Sequence, residues 1–357
     1  MTFSKCTSGT IIGILAAAAS PAAFAQSEVM VGWRTAASVP GVFTLVWSDT
    51  PMLKPAAIED LQEIRDAIEK LGIDLPAVIV SDNGRSVACT CAKRGDDPTP
   101  PAGVTVWRDW KDADSSIGFA DVSQVRFISN NHVLLSQHPT GGPYSSYIVD
   151  LRQPTTRFRF TGYQLETVRV TDAGKWAALA GDGTLNVGQL DPSGKEGTIT
   201  ANAVPIAGEI RNLIWRKDGR FLLLERTGPL IEVRHAKDWS LVSSIPGGLG
   251  PDERSVSPAG RDSCLGYQPG ASECVFTVST SGEITAQQWP HQIAAETGVF
   301  VSPLRKFVTT QRRDMNGLVT RECRKTAEAT SIDVTPTWSA VPQGTKIQEF
   351  GWLLWEP

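Results

Sequence analysis

The chain predicts an all-β fold, a six- or seven-bladed β-propeller with one N-terminal amphipathic helix, and two observations carry that prediction. A tight turn between apolar strands recurs as Ser81-Asp82-Asn83-Gly84-Arg85, Ser129-Asn130-Asn131, Thr171-Asp172-Ala173-Gly174-Lys175, Arg216-Lys217-Asp218-Gly219-Arg220, Ser257-Pro258-Ala259-Gly260-Arg261 and Ser302-Pro303-Leu304-Arg305. The intervals are about 40 to 48 residues, the length of one four-stranded blade. Between the turns, runs such as Val104-Thr105-Val106-Trp107 and Tyr147-Ile148-Val149-Asp150 are short, apolar and β-rich, as strands packed between neighbouring sheets require.

Residues 1–25 read as an export signal. Lys5 is the lone charge, residues 11–19 form a short apolar core, and Ala23-Phe24-Ala25 stands before Gln26 as a small-x-small cleavage site. That core is too short to span a bilayer, so the expected product is a periplasmic or secreted protein without membrane insertion. Residues 26–74 open with strands near 29–34 and 42–47. The period then changes: Ile58, Leu61, Ile64, Ile68 and Leu71 recur at steps of three and four, with Glu59 and Asp60 at the start, Lys70 near the end and Gly72 beyond, which predicts a helix over 55–71.

Residues 75–345 repeat the blade pattern of strand, turn, strand, loop, strand. Trp107, Trp239 and Trp289 sit where large rings fill the wedge between blades. The polar, Pro-rich segment 93–103 is expected to project from one face of the ring. Residues 346–357 form a last strand. A seventh blade would combine the strands near 29–47 with those near 332–338, leaving no exposed edge.

The chain carries 34 Lys and Arg against 38 Asp and Glu, a net charge of −4, with no basic stripe long enough to follow a phosphate backbone, so nucleic acid is not expected as a partner. A local positive excess falls on Arg305, Lys306, Arg312, Arg313, Arg321 and Arg324, which suits either a solvated strand face or contact with an acidic partner. Among the cysteines, Cys264 and Cys274 flank Pro269-Gly270 in one hairpin and are expected to form a disulfide. Cys89 and Cys91 lie two apart in one strand, too far for an easy bridge; buried thiols are the plainer reading, and Cys323 is left to pair with either.

The search for catalytic groups is largely negative. There is no Gly-x-Ser-x-Gly elbow, no His-Glu-x-x-His and no phosphate-binding Gly-x-x-x-x-Gly-Lys-Ser/Thr loop. His132, His138, His235 and His291 share no motif and are read as structural or surface residues. Asp109, Asp112 and Asp114 lack the spacing and the Gly of a calcium loop and read as a solvated turn. No catalytic residue, metal ligand or cofactor is expected.

The Ser-Pro/Asp-x-Gly-Arg turns resemble those of Tol-system and WD-repeat propellers. A narrower resemblance joins Ile58-Glu59-Asp60-Leu61-Gln62-Glu63-Ile64-Arg65-Asp66 and Val80-Ser81-Asp82-Asn83-Gly84-Arg85-Ser86-Val87-Ala88 to the propeller entry of secreted prolyl-oligopeptidase-like serine peptidases, including lasso-peptide isopeptidases. The segment from Gly344 to Pro357 is similar to the exit from that propeller into the hydrolase domain. This resemblance implies a substrate-gating propeller whose nucleophile, acid and base belong to a domain absent from the chain.

The expected function is therefore a non-catalytic exported propeller, a monomer that binds a peptide or protein. Two other classes stand beside it. One is a propeller enzyme, lactonase-like or another hydrolase, with its acid and base at the channel mouth; the other is an envelope-assembly scaffold with an apolar face.

Overall fold

The computed structural model describes residues 27–34, 42–47, 78–90, 103–137, 145–191, 196–199, 201–249, 263–269, 273–288, 298–304, 307–313, 319–325, 331–333 and 347–355. The export signal, the helix expected over 55–71, the 93–102 loop and the turn Ser257 to Arg261 lie outside the described residues. Among those described, every extended element is a strand, and no helix is long and apolar enough to cross a membrane.

The strands form consecutive antiparallel meanders. β1 (Ser27–Arg34) and β2 (Val42–Trp47) come first, and the first complete sheet is β3 (Val78–Val80), β4 (Val87–Cys89), β5 (Gly103–Trp107) and β6 (Ser116–Ala120). The next is β7 (Gln124–Phe127), β8 (His132–Gln137), β9 (Ser145–Asp150) and β10 (Arg157–Arg159). It is followed by β11 (Arg169–Val170), β12 (Lys175–Leu179), β13 (Leu185–Asp191) and β14 (Glu196–Ile199), with β15 (Asn202–Ala203) pairing β13. A short parallel contact between β10 and β14 joins these two sheets at their outer strands.

Three further four-stranded sheets follow. They are β16 (Ile210–Trp215), β17 (Phe221–Arg226), β18 (Leu230–His235) and β19 (Leu241–Pro246); β20 (Gly248–Leu249), β21 (Ser263–Tyr267), β22 (Glu273–Val278) and β23 (Ile284–Gln288); and β24 (Gly298–Val301), β25 (Phe307–Arg313), β26 (Val319–Lys325) and β27 (Ser331–Asp333). The last strand, β28 (Ile347–Trp355), returns to pair β1, giving the sheet β2-β1-β28. First strands of successive sheets approach one another, β3 beside β7 and β11 beside β16, and β28 touches both β24 and β3. The chain is thus a β-propeller whose innermost strands ring an axis and whose closing sheet is built from both ends of the chain. The C-terminal strand of that closing sheet is β28; residues 331–333 belong to the sheet before it.

Alternation along each strand sends successive side chains to opposite neighbours. On β12, Trp176 and Ala178 pack with Ile128, Leu134 and Phe158 of the preceding sheet, whereas Ala177 and Leu179 pack with Leu213, Leu222 and Leu224 of the following one. On β17, Leu222 and Leu224 face back, while Phe221 and Leu223 join Leu249, Cys264 and Phe276 ahead. Burial of both faces is why these strands are apolar almost throughout. Trp107 is buried, and Trp239 packs at 6.4 Å from Trp215; Trp289 lies outside the described residues.

Among the described residues, the recurring turn joins first to second strands at the same end of the ring. Its first residue closes the loop with backbone bonds, Ser81 N–H to Ser86 O at 2.9 Å and Gly84 N–H to Ser81 O at 2.9 Å, repeated by Thr171 with Lys175 and Gly174. The hydroxyl at that position accepts the N–H that opens the next strand, at 2.9 Å from Ser86 to Ser81, 3.1 Å from Lys175 to Thr171 and 2.9 Å from Phe307 to Ser302. This local side-chain bond is why Ser and Thr start the turn.

The described turns also latch neighbouring sheets together. Leu304 N–H donates to Glu28 Oε1, Leu354 N–H to Gly84 O at 2.9 Å, Asn83 N–H to Asn130 Oδ1 at 3.0 Å, Asn130 N–H to Asp172 Oδ1 at 3.2 Å, Lys175 Nζ to Gly219 O at 3.2 Å, and Arg216 Nε to Val278 O at 3.1 Å. Gly84 has φ +69°, and a Cβ there would lie 2.4 Å from Pro303 and 2.7 Å from the Leu354 nitrogen. Gly183, at φ +84°, has open space around its Cβ position. Gly84→Ala should therefore cost about 2 to 4 kcal/mol in urea unfolding, against about 1 kcal/mol for Gly183→Ala, the cost of the left-handed backbone alone.

Candidate functional site

Two groups of polar residues are buried in ways that invite a chemical reading, one at each end of the ring.

At the turn end, Ser129 and His132 flank the turn into β8, and Asp150 ends β9, opposite His132. Ser129 Oγ lies 2.8 Å from His132 Nδ1, and His132 Nε2 lies 3.7 Å from Asp150 Oδ2. Ser, His and Asp in sequence suggest nucleophilic catalysis, but the geometry opposes it. Ser129 is 4% and His132 1% exposed, and Ser129 fills the turn position held elsewhere by the structural hydroxyls of Ser81, Thr171 and Ser302. Burial pushes the Asp150 carboxyl up, but two hydrogen bonds from Arg152, at 2.9 and 2.7 Å, outweigh it and leave Asp150 below the usual carboxylate range. Burial likewise lowers His132 to about 4, against a smaller opposing pull from Asp150, so the imidazole is neutral. The group is a turn lock.

At the opposite end, where second strands finish, the polar residues come from three consecutive sheets. On β11, Arg169 is buried and donates to Glu166 O at 2.6 Å and, across to the next sheet, to Asn212 Oδ1 at 3.1 Å. On β16 a bulge falls between Ile210, paired with Arg226, and Asn212, paired with Glu225, and leaves Arg211 exposed as the extra residue. Bulges of this kind re-aim side chains at strand ends. On β17, Glu225 faces the following sheet, where its Oε2 accepts Leu249 N–H at 3.2 Å and its Oε1 accepts the Tyr267 phenol at 3.4 Å.

Glu225 is 7% exposed while Tyr267 is 42% exposed, so the acid lies beneath a phenol that reaches solvent. Desolvation raises the Glu225 carboxyl above its ordinary range, and the bonds from Leu249 and Tyr267 and the charge of Arg211 only partly restore it. Tyr267 is raised by burial and by the neighbouring Glu225. Gly248 makes the approach feasible: a Cβ there would lie 2.2 to 2.5 Å from the Tyr267 ring. An acid with a raised pKa, a phenol and a guanidinium at an accessible strand end can exchange protons with a bound carbonyl compound.

Sequence reading missed this group, because Glu225 is an ordinary strand residue until Leu249 and Tyr267 are brought to it; Gly247-Gly248 before the next strand was the one local sign of a close approach. Of the basic residues singled out, Arg305 and Lys306 lie outside the described residues, Arg312 and Arg313 are on β25, and Arg321 and Arg324 are on β26. The disulfide expected between Cys264 and Cys274 is not made. Cys264 pairs with Phe276 and Cys274 with Gly266, a diagonal relation too wide for a bridge, and both are buried thiols, Cys264 pushed up to about 12 by burial. Cys89, expected as a buried thiol, is disulfide-bonded. Asp112 caps a short 3₁₀ turn, accepting Asp114 N–H at 3.0 Å, as a solvated turn does. Among the described residues no group of three or more His, Cys, Asp or Glu could hold a metal ion.

No family model matches the chain, and no curated protein does. Among solved structures, the chain is similar to a candidate 6-phosphogluconolactonase of Bacteroides fragilis at 16% identity, covering 94% of this chain and 99% of that one, with a TM-score of 0.49. It is also similar to the periplasmic gluconolactonase of Pseudomonas aeruginosa at 11% identity, covering 93% and 100%, TM-score 0.47, and to the Swd1 β-propeller domain of Myceliophteria thermophila at 10%, covering 72% and 84%, TM-score 0.47. The propeller part of the expected resemblance is borne out by the repeated antiparallel meanders and the closing sheet. The neighbours covering both chains almost entirely are described as lactonases, against the non-catalytic, peptide-binding role expected from the sequence.

The turn lock has a measurable consequence. A histidine held at about 4 in the native state and near 6.5 unfolded leaves stability intact above about pH 6.5 and erodes it as pH falls toward 4, because only the unfolded chain takes the proton. His132→Asn should flatten the pH dependence of urea unfolding across that window by about 3 kcal/mol relative to the parent.

Proposed function

We propose that the chain is an exported, seven-bladed propeller hydrolase acting on small cyclic esters, with Glu225 as its acid and base. The blade number rests on six four-stranded meanders and the closing sheet of β1, β2 and β28. Export rests on the signal-like residues 1–25. The observation that carries the chemistry is the Glu225 carboxyl, buried and raised by desolvation, held by Leu249 N–H and Tyr267 at the end of the ring where the phenol opens to solvent. The lactonase descriptions of the neighbouring propellers agree with this class of reaction but do not carry it.

In the proposed reaction, ionised Glu225 takes a proton from water as the water oxygen attacks the ester carbonyl carbon. The Tyr267 phenol is placed to donate to the oxyanion as it forms. Collapse breaks the ring carbon–oxygen bond, the departing oxygen takes the proton from Glu225, and the product hydroxy acid releases one proton to solvent. A raised pKa suits both steps, because the carboxylate is a stronger base and its conjugate acid remains available near neutral pH.

Glu225→Gln should lower kcat for D-glucono-1,5-lactone at least 100-fold above the spontaneous rate while leaving thermal unfolding within a few degrees of the parent. In the parent, kcat/KM should rise with pH through a single ionisation above the usual carboxylate range, and Tyr267→Phe should shift that ionisation. A parent protein that fails to exceed spontaneous lactone hydrolysis, or a Glu225→Gln variant that stays active, overturns the assignment.

A further inference from the structure

We infer that the Tyr267 ring is a stacking platform, and that the substrate is a compact ring lactone laid face-on against it, not an ester on an open acyl chain. This rests on the hydrolase reading of the same site.

The platform is built on glycines. Gly248 stands opposite Tyr267 in the pairing of β20 with β21, and Leu249 stands opposite Gly266. A Cβ on Gly248 would lie 2.2 Å from Cζ, 2.3 Å from the phenol oxygen and 2.5 Å from Cε1 of Tyr267. Nearly equal distances to three atoms that are not in line put that position over the ring and not beside its edge, so the ring lies across the Gly248 backbone. Gly266 lets the two strands close up beneath it, since a Cβ there would lie 2.3 Å from Gly248 O. β20 is the first strand of its sheet, so the ring reaches from the second strand toward the axis. The phenol hydrogen bond to Glu225 Oε1 at 3.4 Å fixes which way it points. One face is therefore covered by backbone, and Tyr267, 42% exposed, presents the other to solvent. A backed aromatic face of this kind holds a flat partner by dispersion and by the negative charge of its π face.

The surroundings of the ring select the ligand. Among the described residues, the other large exposed hydrophobic side chains are Leu241 and Val242, which begin β19 at the turn end of the propeller. An acyl tail needs apolar surface that continues from Tyr267, and the described residues offer none at this end. A single small ring covers one aromatic face and needs no more. Stacked with its carbonyl edge toward the phenol oxygen, a lactone ring presents its ester carbon on the side where Glu225 lies.

Saturation-transfer NMR titrations of the purified protein test this with D-glucono-1,5-lactam, a ring amide that resists hydrolysis, and with D-gluconamide and hexanamide as its open-chain and acyl-chain counterparts. The lactam should bind at least tenfold more tightly than either. Tyr267→Leu, apolar but without a ring face, should weaken lactam binding about tenfold, whereas Tyr267→Phe should stay within about threefold of the parent. Absent lactam binding, an open-chain amide that binds as tightly, a Tyr267→Leu variant that binds as the parent does, or a Tyr267→Phe variant that loses as much as Tyr267→Leu overturns the proposal. Turnover is read separately with D-glucono-1,5-lactone. Lactam binding that depends on the Tyr267 ring while no lactone is hydrolysed leaves the platform standing and removes the hydrolase reading. Hydrolysis through Glu225 with lactam binding indifferent to Tyr267→Leu does the reverse.

Discussion

The structure depends on closing a ring whose two ends are far apart in the chain. β1 and β28 pair along their length, from Ser27 with Trp355 to Arg34 with Ile347, and this one antiparallel contact supplies the sheet on which both the first and the last complete meanders pack. Without it, two long edges of unpaired backbone would face water. Around the seam, Trp110 is fully buried and donates to Leu354 O at 3.3 Å, and the Phe307 and Trp352 rings stack at 5.7 Å. The last sheet is therefore bolted to its neighbours on both sides by groups that no local pattern marks.

Ring closure explains why the recurring turn is so uniform. The turns at Ser81, Thr171 and Ser302 satisfy their own backbone through a Ser or Thr hydroxyl and at the same time present a donor or acceptor to a neighbouring sheet, so turn and latch are a single device. His132 is a variation on it. The imidazole lies against Ser129 and is held neutral by burial, with Asp150 and Arg152 completing the lock. A buried Ser, His and Asp therefore strengthen a turn, while the carboxyl raised by burial, Glu225, stands at the other end of the ring. There the strand ends have no repeated lock, and Glu225, Tyr267 and Arg211 are assembled from different strands.

Much of the fold was legible because its determinants are short-range. The turn sequences, the β-rich runs between them and the apolar character of strands such as Phe221–Arg226 follow from local hydrogen bonding and from alternation, both of which act over a few residues. The same local reading failed for pairing. It assigned residues near 332–338 to the closing sheet where β28 does the work, and it placed Cys264 and Cys274 face to face where the register offsets them by two positions. Hairpin membership is a local property; register and sheet membership are not.

The sequence by itself determined a repeating β-propeller with hydroxyl-closed turns and blades buried on both faces. Tertiary structure alone decided which acid is perturbed and where it stands, because Glu225 meets Leu249 and Tyr267 across 24 and 42 residues of chain and the ring closes across 276 between Glu28 and Leu304. A pKa is raised by the surroundings a folded chain packs against a carboxyl. Those surroundings exist only once the blades are stacked.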